Sequence, residues 1–140
     1  MTNSPKFGVI GGGSWATAIV KMLTENLDTI NWYMRSKTAI EHIRTQDHNP
    51  NYLSSVEFDV NQLNLSSDIN EIVAASDYLI FAIPSAFVKK ELDQLTVSLK
   101  DKVIFSAIKG IVPESSLIVG EHFNQEYGVL DENFGVITGP

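Results

Sequence analysis

The glycines near the N-terminus carry the clearest chemical signal in this sequence. The stretch GVIGGGSWATAI, residues 8–19, matches the pattern G-x-G-x-x-A with Gly11, Gly13 and Ala16. Gly11 can turn the chain sharply out of a strand, and Gly13 has no Cβ to hold a pyrophosphate away from the backbone. Ala16 is small enough for a helix to pack closely on a sheet. The spacing therefore predicts a dinucleotide-binding loop, with a plain strand–helix turn as the alternative.

The helix that follows these glycines is expected to begin at an anion site. The backbone N–H groups around Ser14 and Trp15 have no partner inside the helix, and the helix dipole adds partial positive charge there. A phosphate group fits such a site. Taken alone, the side chain of Trp15 is better explained as part of the core, and beside a phosphate site the two roles are equally open.

The segment YMRSK, residues 33–37, bears on which dinucleotide would bind. Chains that bind NAD usually carry Asp or Glu about 20 residues past the glycines, where the carboxylate holds the ribose 2′-hydroxyl. Here that place holds Arg35, Ser36 and Lys37, and no acid. A guanidinium can pair with a 2′-phosphate in a fork geometry and can stack on adenine. The sequence therefore favours NADP, with NAD also allowed, and a solvated surface arginine is the alternative.

These residues need a sheet to position them, and the hydrophobic pattern predicts one. Short apolar runs typical of buried strands alternate with segments of helical period. Strands are predicted at 6–10, 29–34, 63–66, 77–84, 102–108 and 134–139, and helices after the glycines, at 38–46, after a cap at Ser67 or Asp68, and at 117–123. The alternation predicts an α/β fold with a doubly wound parallel sheet, forming one dinucleotide-binding domain over residues 1–140.

A further helix is predicted after the fourth strand. Val88, Leu92, Leu95 and Leu99 recur at steps of four, three and four residues, and Ser85 is suitably placed to cap the start. This spacing predicts one amphipathic helix that reaches Leu99. The run KKEL at 89–92 is expected to be a solvated face of that helix.

Charge and composition exclude several classes of function. A net charge of −7 argues against nucleic-acid binding, which needs a basic face, and the absence of cysteine removes disulfide and thiolate chemistry. His42, His48 and His122 lack the spacing of metal ligands, so no metal site is expected. No apolar run approaches the roughly 18 residues that span a bilayer. We therefore expect a cytoplasmic protein with neither nucleic-acid nor membrane partners.

Together, the motifs resemble the bacterial-type NAD(P)-dependent glycerol-3-phosphate dehydrogenases. The resemblance runs over nearly the whole chain and is carried, in order, by GGGSWATAI, WYMR, HNPNYL, ASDYLIFAIPS, FSAIKGI and ITGP. It implies a Rossmann-type NAD(P)-binding domain and hydride transfer between NAD(P)H and dihydroxyacetone phosphate, giving sn-glycerol 3-phosphate for glycerophospholipid synthesis. For the full-length protein a homodimer is expected.

The resemblance also implies which residues bind the cofactor. By the family pattern, Ser14, Trp15 and Arg35 contact the cofactor, and Tyr52 lies close to it. Pro84 ends a predicted central strand, so its backbone is expected to border the cofactor as well.

Lys109 is the candidate for the chemistry itself. It follows a predicted strand, and ligands in open α/β sheets lie outside the carboxyl ends of strands. An ammonium there could orient the substrate carbonyl and stabilise the negative charge that develops during hydride transfer. The resemblance implies that Lys109 contacts both cofactor and substrate, and that Gly139 begins a substrate-binding motif.

Two other functions remain open at this point. One is a different reductase on the same cofactor domain, of the ketopantoate or 6-phosphogluconate type, although HNPNYL and KGI in this order disfavour it. The other is a non-catalytic NAD(P)H-sensing domain. The family also has a helical C-terminal domain that supplies a second catalytic lysine and the phosphate-binding residues. We expect that domain to be missing here, so that residues 1–140 bind the cofactor without turnover.

Overall fold

A parallel sheet organises the computed structural model, which describes residues 5–108, 111–112 and 117–137. The strands are β1 (Phe7–Ile10), β2 (Ile30–Tyr33), β3 (Leu63–Ser66), β4 (Tyr78–Phe81), β5 (Val103–Ser106), β6 (Ile111–Val112), β7 (Leu117–Ile118) and β8 (Phe134–Val136). Six of them form one sheet in the order β3-β2-β1-β4-β5-β8, and every neighbouring pair is parallel. The predicted doubly wound fold is confirmed, with the strand order reversing between β1 and β4.

Five helices flank this sheet in the described part of the chain. They are α1 (Ser14–Thr24), α2 (Lys37–Gln46), α3 (Ile69–Ala74), α4 (Val88–Leu92) and α5 (Val119–Tyr127). The buried residues of α1 and α2 pack in one hydrophobic cluster, and those of α3, α4 and α5 pack in a second cluster on the other face. Among the described helices, none is long and apolar enough to cross a membrane.

The central strands contribute to both hydrophobic clusters because successive side chains point to opposite faces. Val9 of β1 belongs to the cluster with α1 and α2, whereas the next residue, Ile10, belongs to the other cluster. In β4, Ile80 lies on the first side and Leu79 and Phe81 on the second. This double burial explains the near-continuous apolar runs that predicted these strands.

Two helices begin at side-chain caps. The Ser36 hydroxyl accepts a hydrogen bond from the Ala39 amide at 3.1 Å at the start of α2. At the start of α3 the Asp68 carboxylate accepts one from the Asn70 amide at 3.0 Å. Of the two caps predicted for α3, the structure therefore uses Asp68.

The helix after β4 is shorter than predicted. A single 3₁₀ turn precedes α4, Ser85 forms no cap, and α4 ends long before Leu99. Leu99 is nevertheless buried, which accounts for its place in the apolar pattern. The Asn70 side-chain oxygen accepts hydrogen bonds from the amides of Thr96 and Val97, at 2.7 and 3.2 Å, and holds that segment out of a helix.

The segment predicted as a helix at 117–123 begins as a strand instead. Its first two residues form β7, which pairs antiparallel with β6, and α5 starts only at Val119. Strands of two residues are too short to produce a recognisable alternation, so the sequence pattern could not distinguish them from the helix that follows.

Candidate functional site

A cleft of about 340 Å³ lies at the carboxyl ends of β1, β2 and β4. It is lined by residues 11–13, 33–36, 51–52 and 82–84, together with Ala39, Phe87 and Glu91. These segments meet at the point where the strand order reverses, which is where open α/β sheets bind their ligands. The structure therefore brings the glycine loop, Arg35, Tyr52 and Pro84 to one cleft, and their roles as cofactor contacts stay predictions.

Gly11 is held in a conformation and a space that admit no side chain. Its φ is +138°, and a Cβ there would lie 2.2 Å from the carbonyl oxygen of Ala82. Its amide donates to the Tyr33 carbonyl at 3.0 Å, and its carbonyl accepts from the Trp32 indole at 2.6 Å. Where the chain leaves β1, Gly11 is therefore hydrogen-bonded to two residues of β2. It also lies against Ala82, which follows β4.

Gly13 differs from Gly11, because it faces open space. A Cβ added there would meet no atom within 4 Å, although Gly13 lies beside the cleft and precedes α1 directly. The first α1 backbone hydrogen bond runs from the Thr17 amide to the Gly13 carbonyl at 2.9 Å. The N–H groups before Thr17 are therefore left for an anion in the space beside Gly13.

Ser14 and Trp15 lie beside this space but do not line the cleft. Ser14 is the exposed first residue of α1, and the partly buried Trp15 packs against the cluster under α1 and α2. Their roles as cofactor contacts stay predictions. Ala16 is fully buried, in keeping with the need for a small residue where the helix meets the sheet.

Asn49 connects the glycine loop to the loop after α2, and sequence reasoning missed it. Its amide nitrogen donates to the Gly12 carbonyl at 3.1 Å and to the Thr17 hydroxyl at 3.0 Å. Its side-chain oxygen accepts hydrogen bonds from the amides of Asn51 and Tyr52, at 2.9 and 3.3 Å. These contacts place Tyr52 at the cleft. No local signal reveals them, since Thr17 is 32 residues away in the sequence.

Arg35 lies just after β2 at the edge of the cleft, and its side chain is exposed. Its guanidinium carbon lies 5.2 Å from the centre of the Phe87 ring. It forms no ion pair with any acidic side chain of the described residues. The neighbouring Ser36 hydroxyl is occupied as the cap of α2. Arg35 is thus the side chain that can meet an anion at the end of β2.

Tyr33 and Glu91 form a buried polar pair in the wall of the cleft. Tyr33 is 2% exposed and Glu91 4%, and the Tyr33 hydroxyl donates a hydrogen bond to the Glu91 carboxylate. Burial, this hydrogen bond and the charge of Glu91 raise the pKa of Tyr33 well above its usual value. The run at 89–92 was expected to be a solvated helix face. That expectation is wrong for Glu91, because its side chain is buried against Tyr33 at the end of β2.

Pro84 lines the cleft, and its carbonyl accepts a hydrogen bond from the Phe87 amide at 2.9 Å. Lys109 and Gly139 lie outside the described residues, so their predicted roles stay predictions. Within the described ranges, no three His, Asp or Glu side chains gather as metal ligands.

Comparison with known proteins gives a consistent result. A family model described as the N-terminus of NAD-dependent glycerol-3-phosphate dehydrogenase matches residues 6–140. A glycerol-3-phosphate dehydrogenase from Pseudomonas aeruginosa, named as an NAD(P)+ enzyme, is 32% identical over 145 residues, which cover all of this chain and 40% of that protein. The chain thus spans about two fifths of the length of this curated relative.

Solved structures show the same fold. The crystal structure of glycerol-3-phosphate dehydrogenase from Coxiella burnetii matches with a TM-score of 0.81 at 21% identity, over 98% of this chain and 41% of the other. The enzyme from Saccharomyces cerevisiae matches with a TM-score of 0.79 at 22% identity, over 98% of this chain and 42% of the other.

Proposed function

Because this chain belongs to the NAD-dependent glycerol-3-phosphate dehydrogenase family, we propose that it is a dinucleotide-binding domain and that its cleft holds NADP(H). The observation that carries the proposal is the open space at Gly13, next to the start of α1 and in the same cleft as Arg35. A pyrophosphate would approach the backbone at Gly13, where a side chain would obstruct it. Tyr52 and Pro84 would border the bound cofactor, with Ser14 and Trp15 at the start of the helix.

The preference for NADP over NAD rests on Arg35. The guanidinium is exposed, has no acidic partner in the described part of the chain, and follows the strand whose end usually carries the ribose-binding acid of NAD proteins. A planar guanidinium can bind a 2′-phosphate with two hydrogen bonds. NAD lacks this phosphate, so the same arginine would contribute far less to its binding.

The reaction proposed for the complete protein is reduction of dihydroxyacetone phosphate to sn-glycerol 3-phosphate. NADPH supplies the hydride. Lys109 would donate a hydrogen bond to the substrate carbonyl oxygen and stabilise its developing negative charge, and Gly139 would contact the substrate. Homodimeric assembly and a cytoplasmic location stay predictions.

Titration of the 140-residue chain with NADPH, followed by cofactor fluorescence, tests the cofactor site. Saturable binding that is tighter than for NADH is the expected result. Absence of saturable binding would overturn the proposed function, and equal affinities would overturn the preference for NADP.

Turnover is tested in the protein that joins this domain to the C-terminal region of the family, by oxidation of NADPH that depends on dihydroxyacetone phosphate. We expect Lys109→Ala to lower kcat by at least about a hundredfold, as for loss of a group that stabilises transition-state charge, with little change in NADPH affinity. Activity within a few-fold of the parent protein would contradict the role of Lys109. NADPH binding without any turnover would instead favour the sensing domain.

A further inference from the structure

Glu91 is an acidic side chain in the wall of the proposed cofactor cleft that the proposed function does not yet use. It is 4% exposed and lines the cleft from α4. No described lysine or arginine forms an ion pair with it. A buried charge is costly unless hydrogen bonds compensate for it. The hydrogen bonds of this carboxylate therefore decide what it can bind.

The partners of Glu91 occupy one of its two oxygens. Oε2 accepts a hydrogen bond from the Tyr33 hydroxyl and a long one of 3.5 Å from the Gln94 amide. Oε1 accepts none from the described residues, and it is not sealed from solvent. A carboxylate has room for about four hydrogen bonds. Glu91 thus keeps an acceptor for a donor that enters the cleft, while Tyr33 holds the side chain in place.

The position of Glu91 corresponds to the adenosine half of a bound dinucleotide. Its partner Tyr33 ends β2, two positions before Arg35, and Arg35 lies against Phe87, which precedes α4. The glycine loop, where the pyrophosphate would lie, follows a different strand, β1. Phe87 is 40% exposed and offers an apolar ring at the same end of the cleft. A flat base next to Phe87 and Arg35 would present its edge toward α4.

We propose that Glu91 determines the base of the cofactor, its Oε1 accepting a hydrogen bond from the exocyclic 6-amino group of adenine. The inference rests on the proposed function, because it requires a dinucleotide in this cleft. An ionised carboxylate only accepts hydrogen bonds, so it complements a 6-amino donor and repels a 6-oxo acceptor at the same place. The N1–H donor of a 6-oxopurine lies at the neighbouring ring position, so the base would have to shift to reach the carboxylate. A carboxylate beside the 2′-phosphate would instead repel it, which is why the base is the favoured partner.

The experiment compares two dinucleotides on the 140-residue chain by fluorescence titration. One is NADPH, and the other is reduced nicotinamide hypoxanthine dinucleotide phosphate, in which a 6-oxo group replaces the 6-amino group. We expect the chain to bind NADPH at least about tenfold more tightly, the value of a hydrogen bond to a charged group. We expect Glu91→Gln to reduce the ratio of the two affinities to about threefold or less. The glutamine amide can accept a hydrogen bond from the 6-amino group and can also donate one to the 6-oxo group.

Glu71→Gln is the matched control. Glu71 lies on α3, is exposed, does not line the cleft, and accepts a hydrogen bond from the Ser66 hydroxyl at 3.1 Å. The same change in charge there should leave the ratio as in the parent chain. An equal reduction in both variants would overturn the inference, since it would reflect charge in general and not contact with the base.

The parent chain alone also tests the inference, so it does not depend on how well Glu91→Gln folds. Equal affinity of the parent chain for the two dinucleotides would overturn the role of Glu91 and leave the proposed function intact. A ratio of the two affinities that is unchanged in folded Glu91→Gln would also overturn the role of Glu91. If Glu91→Gln does not melt cooperatively, Glu91→Asp takes its place in this comparison. Failure to bind either dinucleotide would overturn the proposed function and this inference with it.

Discussion

Asn49 donates a hydrogen bond from its side-chain amide to the carbonyl of Gly12, 3.1 Å away. This contact joins the loop after α2 to the glycine loop after β1, although the two are 37 residues apart in the sequence. Asn49 is 1% exposed, and its side-chain oxygen is engaged by the amides of Asn51 and Tyr52. One buried amide thus sets the relative position of two walls of the cleft.

We expect Asn49→Asp to destabilise the fold by about 1–3 kcal/mol, because a carboxylate cannot donate to the Gly12 carbonyl and leaves that acceptor unsatisfied. NADPH binding should weaken as well. Urea denaturation and fluorescence titration measure the two effects. Asn26→Asp is the control, because Asn26 is exposed and its side chain makes one long hydrogen bond of 3.4 Å, to the Met22 carbonyl, among the described residues. A change at Asn26 as large as that at Asn49 would contradict the role of Asn49.

Gly11 and Gly13 should respond in opposite ways to alanine. Gly11→Ala is expected to cost about 3 kcal/mol or more in the free energy of unfolding, since φ is positive and the Cβ would collide with the Ala82 carbonyl. Gly13→Ala should change stability by less than about 1 kcal/mol but weaken NADPH binding at least about tenfold, because its Cβ enters the space proposed for the pyrophosphate. Thermal or urea unfolding together with titration distinguishes the two. Unchanged affinity of Gly13→Ala for NADPH would contradict the proposal that the pyrophosphate lies beside Gly13.

Arg35→Ala should weaken NADPH binding by about ten- to hundredfold and leave NADH binding within about threefold, the expected loss of hydrogen bonds between charged groups. Arg35→Asp should go further and favour NADH. Arg44→Ala is the control, because Arg44 is an exposed arginine of α2 that does not line the cleft. An unchanged NADPH to NADH ratio in Arg35→Asp would identify Arg35 as a surface charge only.

Tyr33 should make the fold sensitive to alkaline pH. Burial and Glu91 raise the pKa of Tyr33, so the folded chain keeps a proton that the unfolded chain loses above its usual pKa near 10. Its contribution to stability is complete below about pH 10 and is lost as the pH rises further, at up to about 1.4 kcal/mol per pH unit. Burial, Asp93 and Glu126 also raise the pKa of Tyr127, which adds to the decline.

Urea denaturation between about pH 8 and 11 measures this decline in the range where an ordinary tyrosine begins to ionise. Tyr33→Phe should have a shallower slope above pH 10 than the parent chain. Tyr52→Phe should keep the parent slope, because Tyr52 is 46% exposed and its replacement leaves the buried Tyr33–Glu91 pair intact. Identical slopes in the parent chain and Tyr33→Phe would contradict the assignment to Tyr33.

Features that depend on residues close together in the chain were predictable from the sequence. The glycine spacing predicted the turn at Gly11, where φ is positive and a Cβ has no room, whereas the close approach of a ligand at Gly13 stays a prediction. The alternation of apolar runs predicted the parallel sheet, including the bounds of β3, and Asp68 was among the predicted caps. Each of these signals is contained within a few neighbouring residues.

The tertiary structure decided what depends on distant partners. A periodic run of leucines does not show that α4 ends at Leu92, or that the Asn70 side chain binds the amides of Thr96 and Val97 beyond it. An asparagine in a turn does not show that it connects two loops, and a glutamate that follows two lysines does not show that it is buried against Tyr33. The sequence by itself therefore determined the fold and the place of the cleft. Only the folded chain decided which polar side chains form its walls, since a hydrogen bond requires a position in space that local periodicity does not encode.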